Sequence, residues 1–188
     1  WSSDVCSSDL SLRLAPSSFG LQPWKFLVVQ NPALRTELLE ASWRQKQVEE
    51  CSHYVVFLTL KEITEEHIRR FVTLTATTQG VDEAKLEGFR KMLMTNTVTA
   101  AKAFDHLAWN QKQAYIAMGF LMETAAFLSI DTCPMEGLDP AAYDRILALE
   151  NTPWRTMATV ALGYRSAEDK YQHSKKVRFT REDVIEYR

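Results

Sequence analysis

Two short stretches of this chain are dense in β-branched and aromatic residues, Trp24 to Gln30 (WKFLVVQ) and His53 to Leu60 (HYVVFLTL). Both predict strands, and the second is apolar enough to be buried on both faces. Between them Asn31-Pro32 supplies an N-cap and a first-turn proline, so a helix is expected from there to about Ser42. Upstream, Ser11 to Ala15 reads as the last turn of a helix stopped by Pro16. From about Thr64 to Ile130 the pattern turns helical and contains no proline. No capping box follows Thr64, because the residue three later is His67, but Glu65 and Glu66 suit a first turn. Breaks near Gly80-Val81-Asp82 and Asn96-Thr97 predict about three helices here. The last, about Thr99 to Ile130, sets Leu107, Ala114, Met118, Leu121, Ala125 and Leu128 at helical spacing and should cross the core. Asp139-Pro140 opens another helix to about Leu149, Thr156 to Tyr164 predicts a third strand, and Val184 to Tyr187 a short fourth. Strand–helix–strand order occurs once and is not sustained, which favours α+β over a doubly wound sheet.

The totals narrow the function classes. A length of 188 residues with 46% apolar and 24% charged residues suits one domain with a substantial core. The net charge of -2 gives no footprint for nucleic acid or an anionic membrane. The longest apolar run, Ala114 to Ile130, is interrupted by Glu123 and reads as a buried helix rather than a membrane span. No signal peptide opens the chain, and Cys6, Cys51 and Cys133 form neither a CxxC pair nor an even set for disulfides. A reducing cytoplasm follows from that. The first ten residues, WSSDVCSSDL, repeat Ser-Ser-Asp without an apolar period and read as adapter or vector sequence. Residues 1–10 are therefore set apart as non-native, and residues 11–188 are expected to form a single domain. The polar tail from Arg165 to Thr180 has no core of its own: loose in a monomer, it could wrap a partner in a dimer.

Most catalytic signatures are missing. Glycines at 20, 80, 88, 119, 137 and 163 allow neither GxGxxG nor a P-loop, and no GxSxG elbow, HExxH or cysteine pair for zinc exists. The four histidines stand alone and read as structural or exposed. Four segments remain. In LAPSSFGLQPW, Ser17 and Ser18 offer hydroxyls and N–H groups, Gly20 lets backbone approach a ligand, and Gln22 must find partners; an ordinary helix-to-strand loop is the plain alternative. In DTCPMEGLD, Pro134 and Gly137 bracket a bend that presents backbone amides beside Glu136, unless it is a simple connection. In HSKKVR, Lys176 and Arg178 point the same way in an extended chain and could grip a phosphate, or form a solvated basic patch. Gln113 lies on the long apolar helix, where a buried glutamine facing a neighbouring helix is the bland reading.

These segments occur in an order that resembles the nitroreductase family, FMN-dependent NAD(P)H oxidoreductases that work as homodimers. The resemblance runs from about Ser11 to Arg188. It rests on Ala15-Pro16-Ser17-Ser18 followed by Gln22-Pro23-Trp24, on Pro134-Met135-Glu136-Gly137, and on Lys176-x-Arg178 after Gly163 and Ser166-Ala167-Glu168-Asp169. CSHYVVF at 51–57 resembles the family's second core strand. It implies an α+β fold, a mostly antiparallel sheet surrounded by helices, with a C-terminal arm wrapping the partner subunit. By position it implies that Pro16, Ser17 and Ser18 approach FMN from the opposite subunit and that Pro134, Met135, Glu136 and Gly137 line its ring. Lys176 and Arg178 would hold its phosphate, with Gln113 a further contact and Arg44 and Gln47 at the pyrimidine edge. Gly20 stands where the family has glycine or asparagine. WSSDVCSSDL stands where the family carries a helix and an Arg-rich segment, so the chain is expected to be N-terminally truncated.

The implied activity is hydride transfer from NADH or NADPH through flavin N5 to nitroaromatics, quinones or similar small acceptors, in ping-pong order, with no metal and no protein nucleophile. The helical segment from about Thr64 to Thr97 would shape the acceptor pocket. Two alternatives stay open: a dimeric flavin-binding or scaffold protein without turnover, and a cofactor-free α+β interaction domain whose basic tail binds a partner.

Overall fold

The computed structural model describes residues 10–99 and 105–188. Four strands, β1 (Trp24–Val29), β2 (His53–Leu60), β3 (Asp131–Met135) and β4 (Trp154–Gly163), form one antiparallel sheet in the order β1-β2-β4-β3. The fold is α+β, as its element order implies.

Alternation along β2 divides the core. Val55 and Phe57 face α5 (His106–Phe127), whose Ala114, Ala117, Met118, Leu121 and Ala125 cover that side together with Leu12 and Ala15. Tyr54, Val56 and Leu58 face the other side, covered by α1 (Pro32–Glu40), α2 (Gln47–Glu50) and α6 (Pro140–Ile146) through Leu38, Val48 and Tyr143. β2 is therefore buried on both faces, and each fully buried side chain of this size stabilises the fold by about 1.5–3 kcal/mol. A third cluster closes one end of the sheet, where Leu21, Leu60 and Ile63 meet Ile68 and Val72 of α3 (Glu65–Gln79) and Leu93 of α4 (Glu87–Leu93).

Local chemistry sets the helix boundaries. Asn31 and Asp139 each accept two backbone N–H bonds and are followed by proline, as expected, although the helices end at Glu40 and Ile146. Thr64 caps α3 by accepting from the His67 N–H. The break expected near Asn96-Thr97 is a change of helix type after Leu93. There the chain continues as a π-helical turn, Met94–Thr99, with Thr97 buried and its hydroxyl donating to the Leu93 carbonyl. α5 begins at His106, capped by Asp105, rather than near Thr99.

Two further expectations are corrected. Residues 131–135, read as a loop, form β3, because an exposed proline such as Pro134 is tolerated on an edge strand. Val184 to Tyr187 is not a strand: Thr180 and Asp183 build a capping box that opens the short helix α7 (Arg181–Val184). The segment read as non-native lies, except for Leu10, outside the described residues. Among the described residues no helix is long and apolar enough to cross a membrane.

Candidate functional site

The Pro16–Trp24 loop is tightly wound. Phe19, Gly20 and Gln22 all adopt left-handed backbone, with φ of 56°, 73° and 46°. Hydrogen bonds within the loop and from α5 and α3 hold that conformation. The Ser17 hydroxyl accepts from the Gln22 N–H (2.9 Å), and the Gly20 N–H donates to the Ser17 carbonyl (2.9 Å). The Ser18 N–H donates to Gln113 Oε1 (2.9 Å), and the Gln113 amide donates to the Trp109 carbonyl. From α3, His67 Nε2 donates to the Leu21 carbonyl (2.6 Å), and the Phe71 ring packs so closely that a Cβ on Gly20 would lie 3.0 Å from it. The close approach that Gly20 permits within this chain is to Phe71. Gln113 is buried, but its partner is the Ser18 loop rather than another helix. The Gln22 side chain, expected to need partners, is exposed to solvent.

The second segment leaves β3 at Met135, whose side chain is buried in the core, while Pro134 is exposed. The N–H groups of Glu136 and Gly137 have no acceptor among the described residues. The Tyr115 hydroxyl donates to the Glu136 carboxylate. Burial, then that bond and the carboxylate charge, push the Tyr115 phenol up to about 12.

Gly137 packs against the turn that follows α1. Gln45 Nε2 donates to the Gly137 carbonyl (2.7 Å) and to the Ser42 carbonyl (3.1 Å), and the Asp139 N–H donates to the Ala41 carbonyl. Trp43 and Arg44 in this turn are left-handed, with φ of 52° and 56°. Buried hydroxyls fix its base: Ser42 donates to the Leu38 carbonyl and contacts Tyr143, which contacts Tyr54, which donates to Thr159. Burial raises the pKa of both tyrosines, so the row stays protonated.

Arg44 is exposed and ion-paired to Glu40 (3.0 Å), and Gln47 is exposed at the start of α2. Sequence reasoning named both and missed Gln45 between them, together with Tyr115. Lys176 and Arg178 lie exposed in the tail, and neither forms an ion pair with a described residue. At the base of the tail Arg165 grips Asp131; its hydrogen bonds, with a contribution from the Lys176 charge, hold the Asp131 carboxyl below its ordinary range.

The residues thus gather into two half-sites, one at Ser18–Gln113 and one at Glu136–Gly137 with Tyr115 and Gln45. Gln113 and Tyr115 stand two positions apart on α5, so they project about 200° apart. The helix separates the halves within one chain.

The family model described as "Nitroreductase family" matches residues 9–164. This chain belongs to the nitroreductase family. A Staphylococcus aureus protein named "Putative NAD(P)H nitroreductase" is 39% identical over 186 residues, covering 93% of this chain and 80% of that protein. The nitroreductase fold recurs in a nitroreductase family protein from Streptococcus pneumoniae, with a TM-score of 0.81 at 20% identity, covering 100% of this chain and 90% of that one. It recurs again in a protein from Exiguobacterium sibiricum crystallised with FMN, with a TM-score of 0.79 at 19% identity, covering 100% and 87%.

Proposed function

We propose that this nitroreductase is an FMN-dependent NAD(P)H oxidoreductase whose sites form between the two subunits of a homodimer in the cytoplasm. The observation that carries this reading is the separation of the two half-sites by α5. The Ser18–Gln113 half and the Glu136–Gly137 half can face each other only across two copies of the chain.

The donor set fits the cofactor of the relative from Exiguobacterium sibiricum. Lys176 and Arg178 are exposed, form no ion pair among the described residues and stand two positions apart outside any helix or strand, which suits a phosphate. The free N–H groups of Glu136 and Gly137 suit the acceptor-rich edge of a heteroaromatic ring. Pro16, Ser17, Ser18 and Gln113 belong to one subunit's contribution, with Gly20 fixing the loop. Pro134, Met135, Glu136, Gly137, Arg44, Gln47, Lys176 and Arg178 belong to the other's. FMN, when bound, supplies two-electron hydride exchange between NADH or NADPH and a nitroaromatic, quinone or similar acceptor, one after the other in the same place. The protein's part is to orient the ring, offer hydrogen-bond donors to it, and hold the Glu136 side chain in place through the Tyr115 hydroxyl.

Exposed apolar surface supports the dimer. Ile116, Phe120 and Phe127 stand on the outer face of α5, with Phe127 83% exposed. The tail carries Val177, Phe179, Ile185 and Tyr187 in solvent, which suits an arm packed on the partner.

The test is the double substitution Lys176→Ala with Arg178→Ala. Charge-assisted hydrogen bonds contribute about 1.5–3 kcal/mol each, so FMN affinity should fall by roughly a hundredfold or more. Circular dichroism and sedimentation should be unchanged, because both side chains are exposed. Full flavin stoichiometry in the double variant would refute the phosphate assignment.

A further inference from the structure

A cavity of about 660 Å³ lies between α3 and the end of the sheet where β1 and β4 begin and β2 ends. That volume falls within the roughly 300–1,000 Å³ that small-molecule sites occupy. Ser17, Ser18, Gln113, Glu136, Lys176 and Arg178 do not line it, while Leu21, Gln22 and Trp24 of the Pro16–Trp24 loop do, so it adjoins the Ser18–Gln113 half without including its hydrogen-bonded pair.

Its walls are apolar and aromatic. Leu21 and Leu60 are buried at its base, while Trp24, Trp154 and Phe71 form the sides. Leu74 is left 58% exposed at its edge. The cavity is held open by the contacts that fix the neighbouring loop, His67 on the Leu21 carbonyl and Phe71 on Gly20, so little ordering opposes a ligand.

Its charges are unbalanced. Lys25 and Arg70 line it, and neither forms an ion pair with a described residue. Of the two carboxylates present, Glu66 is already held by two hydrogen bonds from Arg69, at 2.9 and 2.7 Å. Only Glu62 remains, leaving one net positive charge beside the aromatic walls.

We propose that this cavity is a second binding site, for a small aromatic monoanion of the aryl-carboxylate class. The ring lies among Trp24, Trp154 and Phe71, and the carboxylate accepts from Arg70 and Lys25. Glu62 disfavours a second negative charge, so dianions and phosphate esters are excluded. The site rests on its own lining; α3 also belongs to the helical segment that the family resemblance implies shapes the acceptor pocket, so the flavin-site variant below separates the two readings.

The experiment is isothermal titration calorimetry of the full chain with naphthalene-2-carboxylate, alongside the uncharged naphthalene-2-carboxamide. One site per chain is expected, with the anion bound about tenfold tighter than the amide. The pair Lys25→Gln and Arg70→Gln, both exposed positions, should abolish that preference, and Leu74→Asp should weaken the anion further. The Lys176→Ala, Arg178→Ala chain, which tests the flavin reading, should bind the anion as the parent does. Absence of saturable heat, equal affinity for acid and amide, indifference to Lys25→Gln with Arg70→Gln, or loss of binding in the Lys176→Ala, Arg178→Ala chain would each overturn the proposal.

Discussion

Gly137→Ala tests how the turn after α1 supports the Glu136–Gly137 loop. An added Cβ would lie 2.7 Å from Gln45 Nε2 and 3.0 Å from the Trp43 ring. The ring is 75% exposed and can swing outward. The amide cannot move without surrendering its bonds to the Gly137 and Ser42 carbonyls. Two such bonds, at a net 0.5–1.5 kcal/mol each, put the cost of Gly137→Ala at about 2 kcal/mol. Gln45→Ala removes the same two bonds and should also cost about 2 kcal/mol. Because both changes break one linkage, the double variant should lose about 2–2.5 kcal/mol rather than about 4, a coupling of about 1.5–2 kcal/mol. Urea unfolding of the four proteins, compared through midpoints at constant slope, measures that coupling. Losses that sum to within about 0.5 kcal/mol would show independent sites and refute the linkage.

Gly20→Ala should destabilise by about 1–2 kcal/mol, since left-handed backbone penalises a Cβ and the Phe71 ring stands in its way; an unchanged urea midpoint would contradict this. Tyr115 should ionise near 12 rather than at its ordinary 10.0, so the unfolded chain releases this proton first and stability falls as pH rises through that window. The phenolate absorbance of Tyr115→Phe, subtracted from that of the parent, isolates the titration from the also-raised Tyr54 and Tyr143; a difference centred near the ordinary value would break the Tyr115–Glu136 assignment.

What the sequence made legible was local. β2 and the caps at Asn31 and Asp139 follow from residue type and spacing, and all three stand where the pattern puts them. The strand β3 was hidden because proline and glycine punctuation outweighs five residues whose pairing is supplied by β4. The capping box at Thr180 and Asp183 lies in the residue spacing, where it competes with the strand-like pattern of the apolar and aromatic residues of Val184 to Tyr187. At the candidate site the motifs picked out both loops, but not what holds them. Gln45 reaches Gly137 across 92 positions and Gln113 reaches Ser18 across 95, and no periodicity announces such contacts. Arg44 shows the converse: Glu40 four residues earlier offers it an ion-pair partner in plain view.

The proposed activity requires a reducible flavin on this chain. A visible absorption spectrum of the purified protein, supplemented with FMN and then treated anaerobically with NADPH or NADH, addresses it directly. Flavin bands that stay with the protein on gel filtration and bleach with either nicotinamide are the predicted result. A protein that remains colourless after FMN is added would contradict it.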